Sequence, residues 1–216
     1  MWSWPFAWQI APELLRAVQT TIAATLAGFA LALVGGLLLA FARRAKPRGV
    51  SLAAAGVIEF VRSTPLLVQL YVLFYGLPSA GISLPPFAAG VLGLGIHYSA
   101  YLAEVYRSGI ESVPWGQWEA ATALNFSRRQ TWTRIILPQA IRPIIPVLGN
   151  YLIVMFKETP VLSAITLVEM LMTAKMIGSA SFRYLEAFTL AGMLFFLLSY
   201  ASSLLIRRLE SKLTQR

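Results

Sequence analysis

The sequence predicts an all-α integral membrane protein with five transmembrane helices and a cytoplasmic helix-turn-helix inserted between the third and the fourth. Three observations carry this expectation. Of 216 residues, 57% are hydrophobic and only 12% charged, a balance that excludes an ordinary soluble domain and points to membrane spans. The Lys and Arg residues behind the formal charge of +9 fall in clusters between apolar stretches, as a topology signal does and a nucleic-acid-binding face does not. The third observation is the stretch EAATALNFSRRQTWTRIILPQA, Glu119 to Ala140, a charged and helix-forming island that cannot lie in lipid. The expected surroundings are therefore a lipid membrane, with no nucleic acid.

The elements follow in order. Met1 to Pro12 carries Trp2, Trp4 and Trp8 beside Phe6, which suits an anchor at the headgroup level. It has no basic n-region and no small-residue cleavage site, so the first apolar segment is expected to stay as a span. Ala17 to Ala42 is uncharged and exceeds the roughly 20 residues that cross a bilayer. Arg43, Arg44, Lys46 and Arg48 then form a basic loop around Pro47. A second span runs from about Ser51 to Leu77, ahead of the uncharged turn GLPSAGISLPP, and a third from about Pro85 to Gly109. After Pro138 a shorter fourth span reaches Phe156, where Lys157, Glu158 and Pro160 interrupt it. The stretch VLSAITLVEMLMTAKMIGSA holds Glu169 and Lys175 and reads as a re-entrant or interfacial segment on the outer side. Ala187 to Ile206 is the fifth span, and Arg207, Arg208, Lys212 and Arg216 close the chain. One transmembrane domain over residues 1–216 results, with 115–138 as its cytoplasmic loop. Because the basic loop, the island and the tail hold most Lys and Arg, the positive-inside rule puts them in the cytoplasm and the N-terminus outside.

The island reads as a plug for a partner protein. Helix formers run from Gly116 to Leu124. Asn125 is the expected hinge, since Asn tolerates the left-handed conformation that ends a helix. Ser127 and Gln130 have capping-box spacing and restart a second helix from Arg128, which Pro138 is expected to close.

Ionisable residues within spans are expensive and mark either packing or a path. Glu59 and Arg62, three apart, should share one helix face as an ion pair, and Glu104 and Arg107 repeat the spacing. For Glu59 and Arg62 helix packing and a substrate path stay equally open, whereas Glu104 and Arg107 read as a structural pair. Lys157, Glu158 and Pro160, where the fourth span breaks, are the preferred candidates for a gate. His97 has no second ligand near it in sequence, so it reads as a packed residue and no metal site is expected. There is no Cys and no Asp, which removes thiolate nucleophiles and Asp-dyad chemistry, and no phosphate-loop motif is present. The chain is not expected to be an enzyme.

The island also resembles the EAA loop of ABC importer permeases. Glu119, Ala120 and Ala121 match its start, and Ile135, Leu137 and Pro138 match its end at the family's spacing, with Asn125 standing where the family has Gly. EFVRSTPLLVQLYVLFYGLP from Glu59, HYSAYLAEVYRSGIESVPWGQWEAA from His97 and KETPVLSAITLVEML from Lys157 are similar to segments of the polar amino acid uptake subfamily. Pro160 stands where that subfamily has a small polar residue. The opening MWSW and the KETPVLSAIT segment look closest to permeases for ectoine and hydroxyectoine. The resemblance implies the inner-membrane permease subunit of a bacterial ABC importer with the type I fold. It also implies a second permease subunit, identical or a sibling, two cytoplasmic ATPases docked on the EAA loops, and an extracytoplasmic binding protein that delivers a small polar or zwitterionic solute. No cofactor is expected on this chain, and ATP and Mg belong to the partner ATPase. The rival reading is a passive channel or membrane scaffold, which would not need a structured cytoplasmic plug.

Overall fold

The computed structural model describes residues 2–214, so Met1 of the N-terminal anchor and Arg216 of the basic tail lie outside it. Every regular element among the described residues is helical. Helix α1 spans Trp4–Arg43, with Pro5 in its first turn and Ser3 as its cap. The Trp-rich opening is thus the first turns of the span helix, with Trp4 and Trp8 exposed on it. Tertiary burial explains this, because Ile10 and Leu14 pack against Ala187 and Ala191 of the last helix.

The second hydrophobic stretch is two helices and not the single span the sequence predicts. Helix α2, Arg48–Arg62, gives way to α3, Leu66–Tyr71, which continues through a wide π-helical turn, Val72–Gly76, and a 3-10 turn, Leu77–Ala80. The axes bend by 102° at the break. Pro65 causes it, having no N–H to give and holding the preceding Thr64 away from helical geometry. Gln69 repairs the exposed backbone, its Nε2 donating to the carbonyls of Val61 at 2.9 Å and Thr64 at 3.2 Å.

Helix α4, Pro86–Glu111, lies parallel to α1. Gly36 lets the two backbones close up, since a Cβ there would lie 2.8 Å from Leu102 Cβ. Helix α5, Trp115–Ala123, and the short α6, Arg128–Gln130, follow; α6 runs through a second π-helical turn, Thr131–Ile136, directly into α7, Leu137–Glu158. Pro138 therefore does not close a helix. It stands in the first turn of α7 after the wide turn, where its missing N–H disrupts least. At the far end α7 tightens into a 3-10 turn, Thr159–Ile165, so Lys157, Glu158 and Pro160 mark a change of helix type and not an interruption. Helix α7 is antiparallel to α4, with Ile144 against Gly109 and Glu158 level with Tyr98. Helices α8, Met170–Ser181, and α9, Tyr184–Thr214, complete the bundle. Buried Glu169 caps α8 by accepting from the amides of Leu171 and Met172.

The two ends of the bundle differ chemically. One gathers Arg43, Arg44, Glu104, Arg107 and Glu111 around a polar hollow of about 500 Å³, next to the α5–α6 hairpin. The other joins the chain's start to α9, where the Ser3 amide donates to Glu186 Oε1 at 2.9 Å and Arg183 pairs with the same carboxylate. Among the described residues, Trp4–Arg43, Arg128–Ile165 and Tyr184–Arg208 are long and apolar enough to cross a membrane, and there is a fourth if the bent α2–α3 pair is counted as one broken span. Helix α4 is long enough at 26 residues, but its apolar character is diluted by His97, Glu104, Arg107 and Glu111.

Candidate functional site

The hairpin of α5 and α6 is built from local hydrogen bonds. Asn125 takes the left-handed conformation with φ 56°. Around it the Asn125 amide donates to Thr122 O and the Phe126 amide to Ala121 O, both at 3.0 Å, the paired bonds of a Schellman helix end. The chain restarts at once, for the Ser127 amide donates to Gln130 Oε1 at 2.9 Å and the Gln130 amide to Ser127 Oγ at 3.3 Å. A tight corner fixed by four backbone donors has little freedom to move on its own.

Aromatic packing closes the hairpin on itself and on the bundle. Trp118 of α5 meets Trp132 of the wide turn edge to face at 5.2 Å, and Gln139 Nε2 donates to Gln117 Oε1 at 3.2 Å. Ala121 and Ile136 are fully buried, whereas Glu119, Ala120, Asn125, Leu137 and Pro138 are exposed and Ile135 is half-buried. Trp115, Trp118, Glu119, Phe126, Arg128 and Trp132 frame an open hollow of about 950 Å³. Glu119 has no ion pair among the described residues.

The charged residues of the spans are arranged differently from the sequence expectation. Glu59 and Arg62 do not pair: Glu59 accepts from Ser63 Oγ at 3.4 Å, and the Arg62 guanidinium lies over the Tyr101 ring at 5.5 Å. The reason is position, since α2 ends at Arg62 and its side chain is free to turn toward α4. Arg107 holds Glu104 at 2.7 Å and also Glu111 at 2.5 Å, making a three-residue ladder at the end of α4. Lys157 is exposed and does not meet Glu158, because adjacent residues of a helix point apart. Glu158 instead accepts from the Tyr98 hydroxyl at 2.6 Å.

The structure adds groups that no local pattern announces. Tyr98, Tyr101 and Tyr151 form a trio with ring centroids 6.0 to 6.1 Å apart. His97 joins it through Tyr101 at 5.1 Å, with its Nδ1 3.3 Å from Gln69 Oε1. A cavity of about 310 Å³ between α4 and α7 opens beside this trio, lined by Arg62, Tyr101, Glu104, Ser108 and Tyr151 among others. At the α7 turn the hydroxyls of Thr25 and Thr159, both fully buried, lie 2.7 Å apart and fasten α7 to α1. The spacing of Tyr98 and Tyr101 on one helix face was a usable signal, but Tyr151, Thr25 and Thr159 carried none.

Apolar helices of spanning length, a basic end and a structured hairpin at that end define a polytopic membrane protein with an element exposed to the aqueous phase. Over residues 6–215 the sequence matches the family described as binding-protein-dependent transport system inner membrane component, and the chain belongs to that family. It is 46% identical to a probable amino-acid ABC transporter permease protein, y4tG, of Sinorhizobium fredii, over 98% of this chain and 91% of that one. It is 35% identical to the L-cystine transport system permease protein TcyB of Bacillus subtilis, over 92% and 87% of the two chains. Among solved structures, an amino acid ABC transporter crystallised with histidines superposes with a TM-score of 0.94 at 33% identity, covering 98% of this chain and 99% of that one. The methionine ABC transporter MetNI, at 18% identity and a TM-score of 0.73 over 98% and 99%, shares the fold. The architecture is the all-helical type I ABC importer permease fold.

Proposed function

We propose that the chain is the permease subunit of an ATP-driven importer for an amino acid, with residues 115–138 serving as the site where a separate ATPase docks. The observation that carries this reading is the hairpin, pinned at its corner, exposing Glu119 beside an open hollow and running without a joint into α7. Glu119, Ala120, Ala121, Asn125, Ile135, Leu137 and Pro138 are its coupling residues. Closure of the ATPase moves this rigid corner, and α7 carries the motion toward Tyr98, Glu158 and the Thr25–Thr159 contact. ATP and Mg act on the partner, and this chain catalyses nothing.

The remaining assignments follow from the same picture. Counting the bent α2–α3 pair and α4 as spans gives five, with the basic end in the cytoplasm and the N-terminus outside. The pathway forms with a second permease subunit, two ATP-binding subunits serve the pair, and an extracytoplasmic solute-binding protein delivers the substrate. Arg62 beside the tyrosine trio offers a cation to a substrate carboxylate, and Glu158 with Tyr98 offers an acceptor to an ammonium group. Glu59 lines the approach to Arg62, and Lys157 and Pro160 flank the change of helix type that serves as the gate. The amino-acid names of the relatives favour an amino acid. An amino-acid-derived solute such as ectoine rests only on the MWSW and KETPVLSAIT segments.

Co-expression with candidate ATPase and sibling subunits tests the proposal. Tagged wild-type chain should bring an ATPase out of the membrane, and Glu119→Lys should lose it while the chain stays folded and inserted. Solute flux that continues without ATP, or Glu119→Lys transporting like wild type, would refute the coupling assignment and favour a passive channel.

A further inference from the structure

A fourth cavity, which shares Arg44 and Trp132 with the hairpin hollow and Ile144 with the one beside the tyrosines, lies where α1, α4, α7 and the wide turn of the hairpin meet. It has a volume of about 470 Å³, within the range of about 300–1,000 Å³ typical of built ligand pockets. Leu37, Phe41, Ile141 and Ile145 are among its walls. Leu37, Phe41 and Ile141 remain 42%, 59% and 44% exposed, so the groove opens on the outside of the bundle and not into its core. Arg44 is the one charged residue on its rim among the described residues. Its guanidinium sits 5.5 Å from the centroid of Trp132 and forms no ion pair among the described residues.

We propose that this groove binds an anionic phospholipid from the surrounding membrane, with an acyl chain lying between α1 and α7 and the phosphate on Arg44. Apolar walls accept a hydrocarbon chain and reject a polar solute. Arg44 borders the polar hollow that holds Glu104 and Glu111, yet no ion pair among the described residues holds its guanidinium, which is left to select a negative head as basic residues at the cytoplasmic face of membrane proteins do. Trp132 beside it has the amphipathic ring suited to headgroup depth. A second copy of this chain is the rival occupant. The consequence is mechanical. Trp132 also packs on Trp118, and Arg44 and Trp132 line the hairpin hollow as well, so the lipid braces the hairpin at the edge of that hollow. The inference rests on the membrane location and on the proposed cytoplasmic placement of the Arg44 end, and fails or stands independently of the transported solute.

The test uses the detergent-purified permease complex, with bound phosphatidylglycerol and phosphatidylcholine measured by native mass spectrometry after mixing in equal amounts. Wild type should retain phosphatidylglycerol over phosphatidylcholine. Arg44→Gln should lower that preference roughly fivefold, with Arg44→Lys restoring most of it. Ile141→Trp fills the slot without touching the charge and should lower occupancy by both lipids. The chain has no Cys, so a single Ile141→Cys substitution also reports what covers the groove. Equal retention of the two lipids, a preference unchanged in Arg44→Gln, or a disulfide between Ile141→Cys chains in the assembled complex would overturn the proposal.

Discussion

The corner at Asn125 gives the sharpest quantitative test of the hairpin. Its φ of 56° is a conformation that costs an ordinary L-residue roughly 1–2 kcal/mol, that Asn tolerates, and that Gly adopts freely. The two 3.0 Å bonds from the Asn125 and Phe126 amides exist only while that conformation holds. Asn125→Val therefore adds the full penalty, and a β-branched residue resists positive φ most. A penalty of that size raises the population of the opened corner by about 5- to 30-fold. Hydrogen exchange of the 121–127 peptide, followed by mass spectrometry in lipid nanodiscs, reads this population directly. Asn125→Val should exchange about 5- to 30-fold faster than wild type, and Asn125→Gly no faster than wild type. If Val and Gly exchanged alike, the corner would not be held by the left-handed residue, and the account of the hairpin would fail.

Other substitutions probe the rest of the bundle. Gly36→Leu should destabilise the α1–α4 contact by about 1–3 kcal/mol, because even a Cβ meets Leu102 at 2.8 Å and Ser99 O at 3.0 Å; Gly56→Ala, with nothing within 4 Å, should not lower the thermal midpoint in detergent. Tyr98→Phe removes the 2.6 Å bond to Glu158, a charge-assisted bond of about 1.5–3 kcal/mol, and should reduce transport in proteoliposomes while ATPase co-purification persists. Thr159→Val leaves Thr25 bonded to Thr21 O at 2.8 Å and should cost about 1 kcal/mol, read as a lower midpoint. A Thr159→Ser variant near wild type would assign that loss to the hydroxyl.

The parts of this molecule legible in its sequence are those fixed within a few residues of themselves. Asn125, Ser127 and Gln130 make a corner whose bonds span at most five positions, so residue type and spacing suffice. Helix ends at prolines were harder, since the same residue acts oppositely in two places. Pro65 breaks a run that composition alone presents as one span, whereas Pro138 passes unnoticed because the wide turn before it supplies the slack. Long-range pairings left no trace. Arg62 finds Tyr101 only because α2 stops there, and the Thr25–Thr159 and Tyr98–Glu158 bonds join residues 134 and 60 positions apart. The helix rule that put Glu59 beside Arg62 describes which side chains are within reach of each other, and a better partner on a neighbouring helix overrides it.

The wide turn at Thr131–Ile136 also fixes the rotational phase of everything joined to it. Each residue advances an α-helix by about 100°. An added or deleted residue in that turn would therefore swing the hairpin about the α7 axis by more than a quarter revolution, leaving every side chain intact but aimed elsewhere. Residues 128–165 form one continuous helical stretch of 38 residues, so such an error would be carried along it. Length in this segment is thus under tighter constraint than chemistry, and single-residue insertions there should be far less tolerated than substitutions at the same positions.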